Sequence, residues 1–157
     1  MDIPVSTILA REGRKLYRVT PDTSVADAVR VMNEGNVGAV AVMEGERLVG
    51  IFTERDVLRR VIDGGLDPDA TPVSRVMTDQ IVYVTPDTTV GDAMVVVNAK
   101  GCRHLPVMDG DRLLGVISSR DLINEVVSGQ EHRISELVQY IYGDYGPGPV
   151  RTSSGMG

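Results

Sequence analysis

The sequence predicts a mixed α/β (α+β) protein built from two pseudo-symmetric β-α-β-β-α repeats packed sheet to sheet. Three observations predict it. The chain contains an internal duplication, each copy alternates strand-like and helix-like hydrophobic periodicity, and Gly or Pro punctuates both copies at the same places.

The duplication carries the most weight. Val19–Ala28 (VTPDTSVADA) recurs as Val84–Ala93 (VTPDTTVGDA) at a fixed offset of 65 residues. The register continues without a gap through Val42-Met43 and Val107-Met108, Arg47-Leu48 and Arg112-Leu113, Gly50 and Gly115, and Arg55-Asp56 and Arg120-Asp121. Between 19–62 and 84–127, 19 of 44 aligned positions are identical, which chance composition would not hold in one register.

Each copy reads in the same order. Leu16–Val19 and Ile81–Val84 are expected as short strands that end at Thr-Pro-Asp-Thr, where the proline sets a turn. Ser24-Val25-Ala26-Asp27 and Thr89-Val90-Gly91-Asp92 fit the capping box that opens a helix. Val25, Ala28, Val29 and Met32 then fall on one helical face. A second strand follows (39–43; 105–108), then a hairpin turn at Glu44-Gly45 or Asp109-Gly110. A third strand (48–52; 113–117) leads into a second helix starting near Thr53 or Ser118. These units give a first repeat over 1–64 with its N-terminal segment, and a linker with the second repeat over 65–129. The Gly-, Pro- and Asp-rich run 63–72 is the linker, and Val73-Ser74 echoes Val5-Ser6, with three extra residues in the first copy around Arg11–Arg14. A closing helix is expected over 130–142 (His132–Tyr142), and the Gly- and Pro-rich 143–157 as a disordered tail.

Composition bounds the function. The chain of 157 residues is 42% hydrophobic and 24% charged, as in ordinary globular proteins, and with no Trp and one Phe its core is aliphatic. A net charge of −6 disfavours nucleic acid or an anionic membrane as partner, since both recruit fields of Lys and Arg. The single Cys102 excludes an internal disulfide and leaves too few thiolates for structural zinc. The N-terminus lacks the apolar core of a signal peptide, and runs such as Val37–Met43 are too short to span a bilayer, so a cytoplasmic location is expected. Neither His104 nor His132 has metal-ligand spacing, and no metal site is expected. No nucleophile elbow, Walker lysine loop or Gly-x-Gly-x-x-Gly is present, so no catalytic residues are assigned and the protein is expected not to be an enzyme.

The duplicated unit, with GIFTERD at 50–56 and GVISSRD at 115–121, resembles the CBS domain pair, or Bateman module, over roughly residues 5–130. Val76-Met77-Thr78 and Arg103-His104-Leu105-Pro106-Val107 fit the same family, and the whole is similar to its short stand-alone members. The resemblance implies an adenosyl ligand (AMP, ATP or NAD(H)) bound in clefts between the repeats. It implies that Asp56 and Asp121 accept hydrogen bonds from ribose hydroxyls and that Thr53 and Ser118 meet ribose or phosphate. Arg103 and His104, ahead of Leu105-Pro106, would reach phosphates, while Met77, Thr78, Gly38 and Ala39 lie where the family holds adenine. The spacing makes physical sense: a strand feeding a helix presents both side chains at an N-terminus whose free N–H groups favour phosphate, and Arg55 and Arg120 add charge there. The same Thr53-x-x-Asp56 and Ser118-x-x-Asp121 are also plain capping boxes that need no ligand. The first copy departs from the pattern, with Gly38-Ala39 where the second has Arg103-His104 and Ala41 where it has Pro106. The family usually forms flat homodimers through amphipathic helices, and the aliphatic positions Val90, Ala93, Met94 and Val97 permit that. The expected output is regulation of an unknown effector protein as an energy or redox sensor; the alternative is a non-catalytic scaffold with degenerate nucleotide sites.

Overall fold

The computed structural model describes residues 2–11 and 13–142, so the expected disordered tail over 143–157 lies outside the described residues. A short helix α1 (Ser6–Leu9) is followed by β1 (Arg18–Val19), α2 (Val25–Gly35), β2 (Ala39–Glu44) and β3 (Arg47–Thr53). β3 runs directly into α3 (Glu54–Asp56), which relaxes into a π-helical stretch, Val57–Ile62. A 3-10 turn, Val73–Arg75, precedes α4 (Val90–Lys100), β4 (His104–Asp109), β5 (Arg112–Ser118) and α5 (Ser119–Tyr142). The expected order of elements is therefore present in both copies except for the first strand of the second, with small sheets ordered β1-β2-β3 and β4-β5. α5 is one continuous helix, so the segment expected as a separate closing helix extends α5.

Local signals decide the helix starts and the turns. Ser24 caps α2 by accepting from the Asp27 N–H, and Thr89 does the same for α4 from Asp92. In both copies a two-residue loop joins the hairpin, with the glycine at positive φ (62° at Gly45, 59° at Gly110), where a side chain would strain the backbone. Each hairpin shifts register once, at Val42/Met43 and at Val107/Met108.

One expected strand nearly disappears. In the first copy β1 pairs in parallel with β2, and the Ala41 N–H donates to the Tyr17 carbonyl at 3.0 Å. In the second copy Pro106 stands in place of Ala41 and has no N–H to give to Val82. The strand expected over Ile81–Val84 is thus reduced to a single bridge between Val84 and Val107. Pro106 sits where the sheet has become an edge, the position a proline tolerates.

Three clusters make up the core. The first contains Val25, Ala28, Met32, Val40, Phe52 and Val61, and also Val73 and Val76 from the segment leading into the second repeat. The second contains Val90, Ala93, Leu105, Ile117 and Leu122, together with Val5 and Ile8 from the segment leading into the first. The lead-in segments are thus exchanged: each packs on the other repeat, tied by Val73 N–H to Thr23 O and Val5 N–H to Thr88 O, both 2.8 Å. The third cluster, Ala41, Met43 and Leu113, joins the two sheets face to face. Val90 and Ala93 are buried in the second core and Met94 and Val97 pack against it, so that helix face is used internally.

Candidate functional site

Both sequence-selected helix starts are formed. At the first, the Asp56 N–H donates to Thr53 Oγ1 (3.3 Å) and the Thr53 N–H donates back to Asp56 Oδ2 (3.1 Å). At the second, the Asp121 N–H donates to Ser118 Oγ (3.1 Å) and the Ser118 N–H to Asp121 Oδ2 (2.8 Å). These are complete capping boxes, so the capping role is present at both positions.

The two carboxylates differ in what remains for anything else. Asp56 is 5% exposed. Thr78 Oγ1 donates to its Oδ1 (3.2 Å), Arg60 Nε lies 3.6 Å from the same atom, and Oδ2 accepts from Thr53. Both Asp56 oxygens are therefore engaged inside the protein. The Asp121 side chain is 28% exposed, and its two contacts, with Ser118 N and with Arg14 Nη1 at 3.3 Å, both fall on Oδ2. Oδ1 of Asp121 has no partner among the described residues.

The lead-in segments cover the two helix starts differently. Met77-Thr78 runs along β3: Thr78 and Ile51 exchange backbone hydrogen bonds of 2.9 Å, and Arg60 donates to the Met77 carbonyl at 2.8 Å. Met77 lies so close over Gly50 that a Cβ there would collide with its sulfur. Leu9 covers Gly115 in the same way, with 2.8 Å to Cδ2. Beyond Leu9, however, come the three extra residues, and they bring charge. Arg14 pairs with Asp121 and donates to the Val116 carbonyl at 2.6 Å, while Arg11 pairs with Glu125. Glu125 occupies the position equivalent to Arg60, so the cation comes from the helix in one cleft and from the lead-in strap in the other.

Between the clefts stand Gly38, Ala39 and His104. A Cβ at Gly38 would lie 3.2 Å from the His104 ring and 3.3 Å from the Glu54 carboxyl carbon, so the glycine admits an imidazole from the other repeat. Burial pushes the His104 pKa below its ordinary value; Glu54 and Asp121 oppose that and Arg103 adds to it. Ala39 and Pro106 are buried and Arg103 is exposed. Arg55 reaches across to the second repeat and donates to the Gly101 carbonyl at 2.8 Å, at the C-terminal end of α4, where a cation is electrostatically favoured. Arg120 is exposed. Thr53, Asp56, Met77 and Thr78 are thus gathered at one helix start and Ser118 and Asp121 at the other. Sequence reading did not single out Arg14 and Arg60; the three-residue insertion was the visible sign of Arg14. Cys102 is half-buried, and burial raises its thiol pKa, as for an unreactive packing residue.

Two sizeable hollows of about 620 and 1280 Å³ lie elsewhere, one between α1, α4 and α5 and one at the hairpin tips, and none of the residues named above as ligand contacts lines them. Among the described residues no three His, Cys, Asp or Glu side chains converge on a point. No described helix is long and apolar enough to cross a membrane.

Comparison with known proteins agrees with the duplication. The family model described as the CBS domain matches residues 7–63 and again 73–128. A mitochondrial CBS domain-containing protein of Arabidopsis thaliana is 36% identical over 149 residues, 92% of this chain and 72% of its own. A CBS domain-containing protein of Bacillus subtilis is 33% identical over 112 residues, 71% of this chain and 79% of its own. Among solved structures, a protein with CBS domains from Burkholderia ambifaria superposes with a TM-score of 0.77 at 38% identity, covering 81% of this chain and 96% of that one.

Proposed function

The chain belongs to the CBS domain family, as a tandem pair, and on that premise we propose that it is a regulatory module whose Asp121 cleft binds an adenosyl ligand: AMP, ATP or NAD(H). CBS pairs are in general regulatory modules for such ligands. The observation that carries the reading is Oδ1 of Asp121, a carboxylate oxygen without a partner among the described residues, held at a helix N-terminus beside a cation, Arg14. A carboxylate fixed by its own capping box is already oriented, so accepting a ribose hydroxyl costs little further ordering. Asp56 lacks this freedom, because a ligand there must first displace Thr78 or Arg60. The two copies of one motif then have two duties, structural in the first repeat and ligand-binding in the second.

In this reading the protein catalyses nothing and acts in the cytoplasm on a separate effector protein, as an energy or redox sensor. Ligand occupancy is communicated because the cleft is built from a lead-in segment and a helix that belong to different repeats in the sequence. The homodimer expected of the family would form on the second helices of the repeats. There Leu58 and Ile62 are 65% and 62% exposed, and their repeat equivalents Ile123 and Val127 are 52% and 46% exposed. Exposed apolar side chains at equivalent positions of both repeats favour pairing of these helices with those of a second copy.

Calorimetric titration of the wild type, Asp121→Ala and Asp56→Ala with AMP, ATP, NAD and NADH tests the proposal. Saturable binding lost in Asp121→Ala and retained in Asp56→Ala is expected. Flat traces for every ligand would replace it with a non-catalytic scaffold.

A further inference from the structure

We infer that Arg14 is the residue that makes the Asp121 cleft discriminate between phosphorylated and neutral ligands; this rests on the proposed binding at Asp121 and adds its specificity. The position in the lead-in equivalent to Thr78 is Ala10, which has no hydroxyl to offer Asp121. The three extra residues that follow supply a guanidinium in its place. It spans the cleft, with one nitrogen 3.3 Å from Asp121 Oδ2 and the other donating to the Val116 carbonyl at 2.6 Å. The strap is fixed a second time by Arg11 on Glu125, a residue only 9% exposed. Arg14 is thus held at the cleft rather than free in solvent, and its side chain is 28% exposed.

A guanidinium has five N–H donors, and the hydrogen bond to Val116 and the ion pair with Asp121 do not exhaust them. A neutral nucleoside takes Oδ1 of Asp121 and offers nothing to the Arg14 cation beside it. A 5′-phosphate in addition gives the guanidinium, still paired with Oδ2, a second anion of matching geometry, so the phosphate adds a contact that the nucleoside lacks. Arg103 is exposed and His104 is held toward its neutral form, so neither supplies an equally fixed positive charge.

The full chain and its Arg14→Gln and Arg14→Lys variants are titrated with AMP and with adenosine, after a thermal melt shows each variant folded. The wild type is expected to prefer AMP by about tenfold or more, the scale of one charge-assisted hydrogen bond. Arg14→Gln should narrow the ratio to about twofold, by weakening AMP and not adenosine, and Arg14→Lys should restore most of the preference. An unchanged ratio in Arg14→Gln, or a wild type without preference, overturns the role of Arg14 while leaving nucleotide binding intact. Absence of AMP and adenosine binding in all three proteins overturns the functional proposal, and this inference with it.

Discussion

Replacing the same aspartate in the two repeats should have opposite consequences. Asp56→Ala removes a carboxylate that is 5% exposed and strands its donors: the Thr53 N–H at 3.1 Å, the Thr78 hydroxyl at 3.2 Å and, more remotely, Arg60. The lost reciprocal half of the capping box accounts for about 1 kcal/mol. The Thr78 hydroxyl, left without its charged acceptor in a half-buried setting, adds about 2 kcal/mol. Arg60 is half exposed and its ion pair contributes little after screening. The sum is about 3 kcal/mol, which in a domain of this size lowers the melting temperature by about 6–12 °C. Asp121→Ala loses the reciprocal half of its capping box, which water can replace, and an ion pair between partners each 28% exposed, so about 1 kcal/mol and about 2–4 °C. Urea and thermal unfolding of the ligand-free variants measure this directly. Equal destabilisation by the two substitutions would refute the division of labour, because it would mean that the internal engagement of Asp56 contributes nothing beyond its cap.

Pro106→Ala should return an N–H to the edge facing Val82 and extend the parallel pairing as in the first repeat; slowed amide exchange at position 106 is the readout, and fast exchange there would show that the proline is not what shortens the strand. Because burial holds His104 below the ordinary imidazole value of 6.5, the unfolded chain binds the extra proton first. The contribution of neutral His104 is therefore complete above that value and is lost as pH falls below it toward the folded pKa. The stability difference between wild type and His104→Gln should shrink from about pH 7.5 to about pH 5.5, and a flat difference would contradict it. Leu58→Asp with Ile123→Asp should leave the fold intact and lower the sedimenting mass to that of one chain, since both side chains are more than half exposed; a wild type that already sediments as one chain would remove the proposed dimer.

Much of the fold was legible in the residues because it is decided over short distances along the chain. The capping boxes at Thr53 and Ser118 span three residues, the hairpins close over two-residue loops, and the apolar periodicity of α2 is local. The lost strand was legible only in part: Pro106 was seen as a departure, but its effect appears once Ala41 is seen donating to Tyr17. The candidate ligand residues were legible as residue types and not as states. Arg55 fits a phosphate mouth by spacing, yet its guanidinium is held by the Gly101 carbonyl 46 residues away.

The sequence by itself determined that the chain is one unit twice over and that each unit feeds a strand into a capped helix. Only the tertiary structure decided that the lead-in segments exchange partners, so that Thr78 closes on Asp56 across 22 residues and Arg11 reaches Glu125 across 114. Two nearly identical motifs therefore end differently, one carboxylate engaged on both oxygens and one with an oxygen that no described residue engages. The physical reason is that capping is satisfied within a helical turn, whereas the second face of each carboxylate is satisfied by whatever the other repeat brings to it.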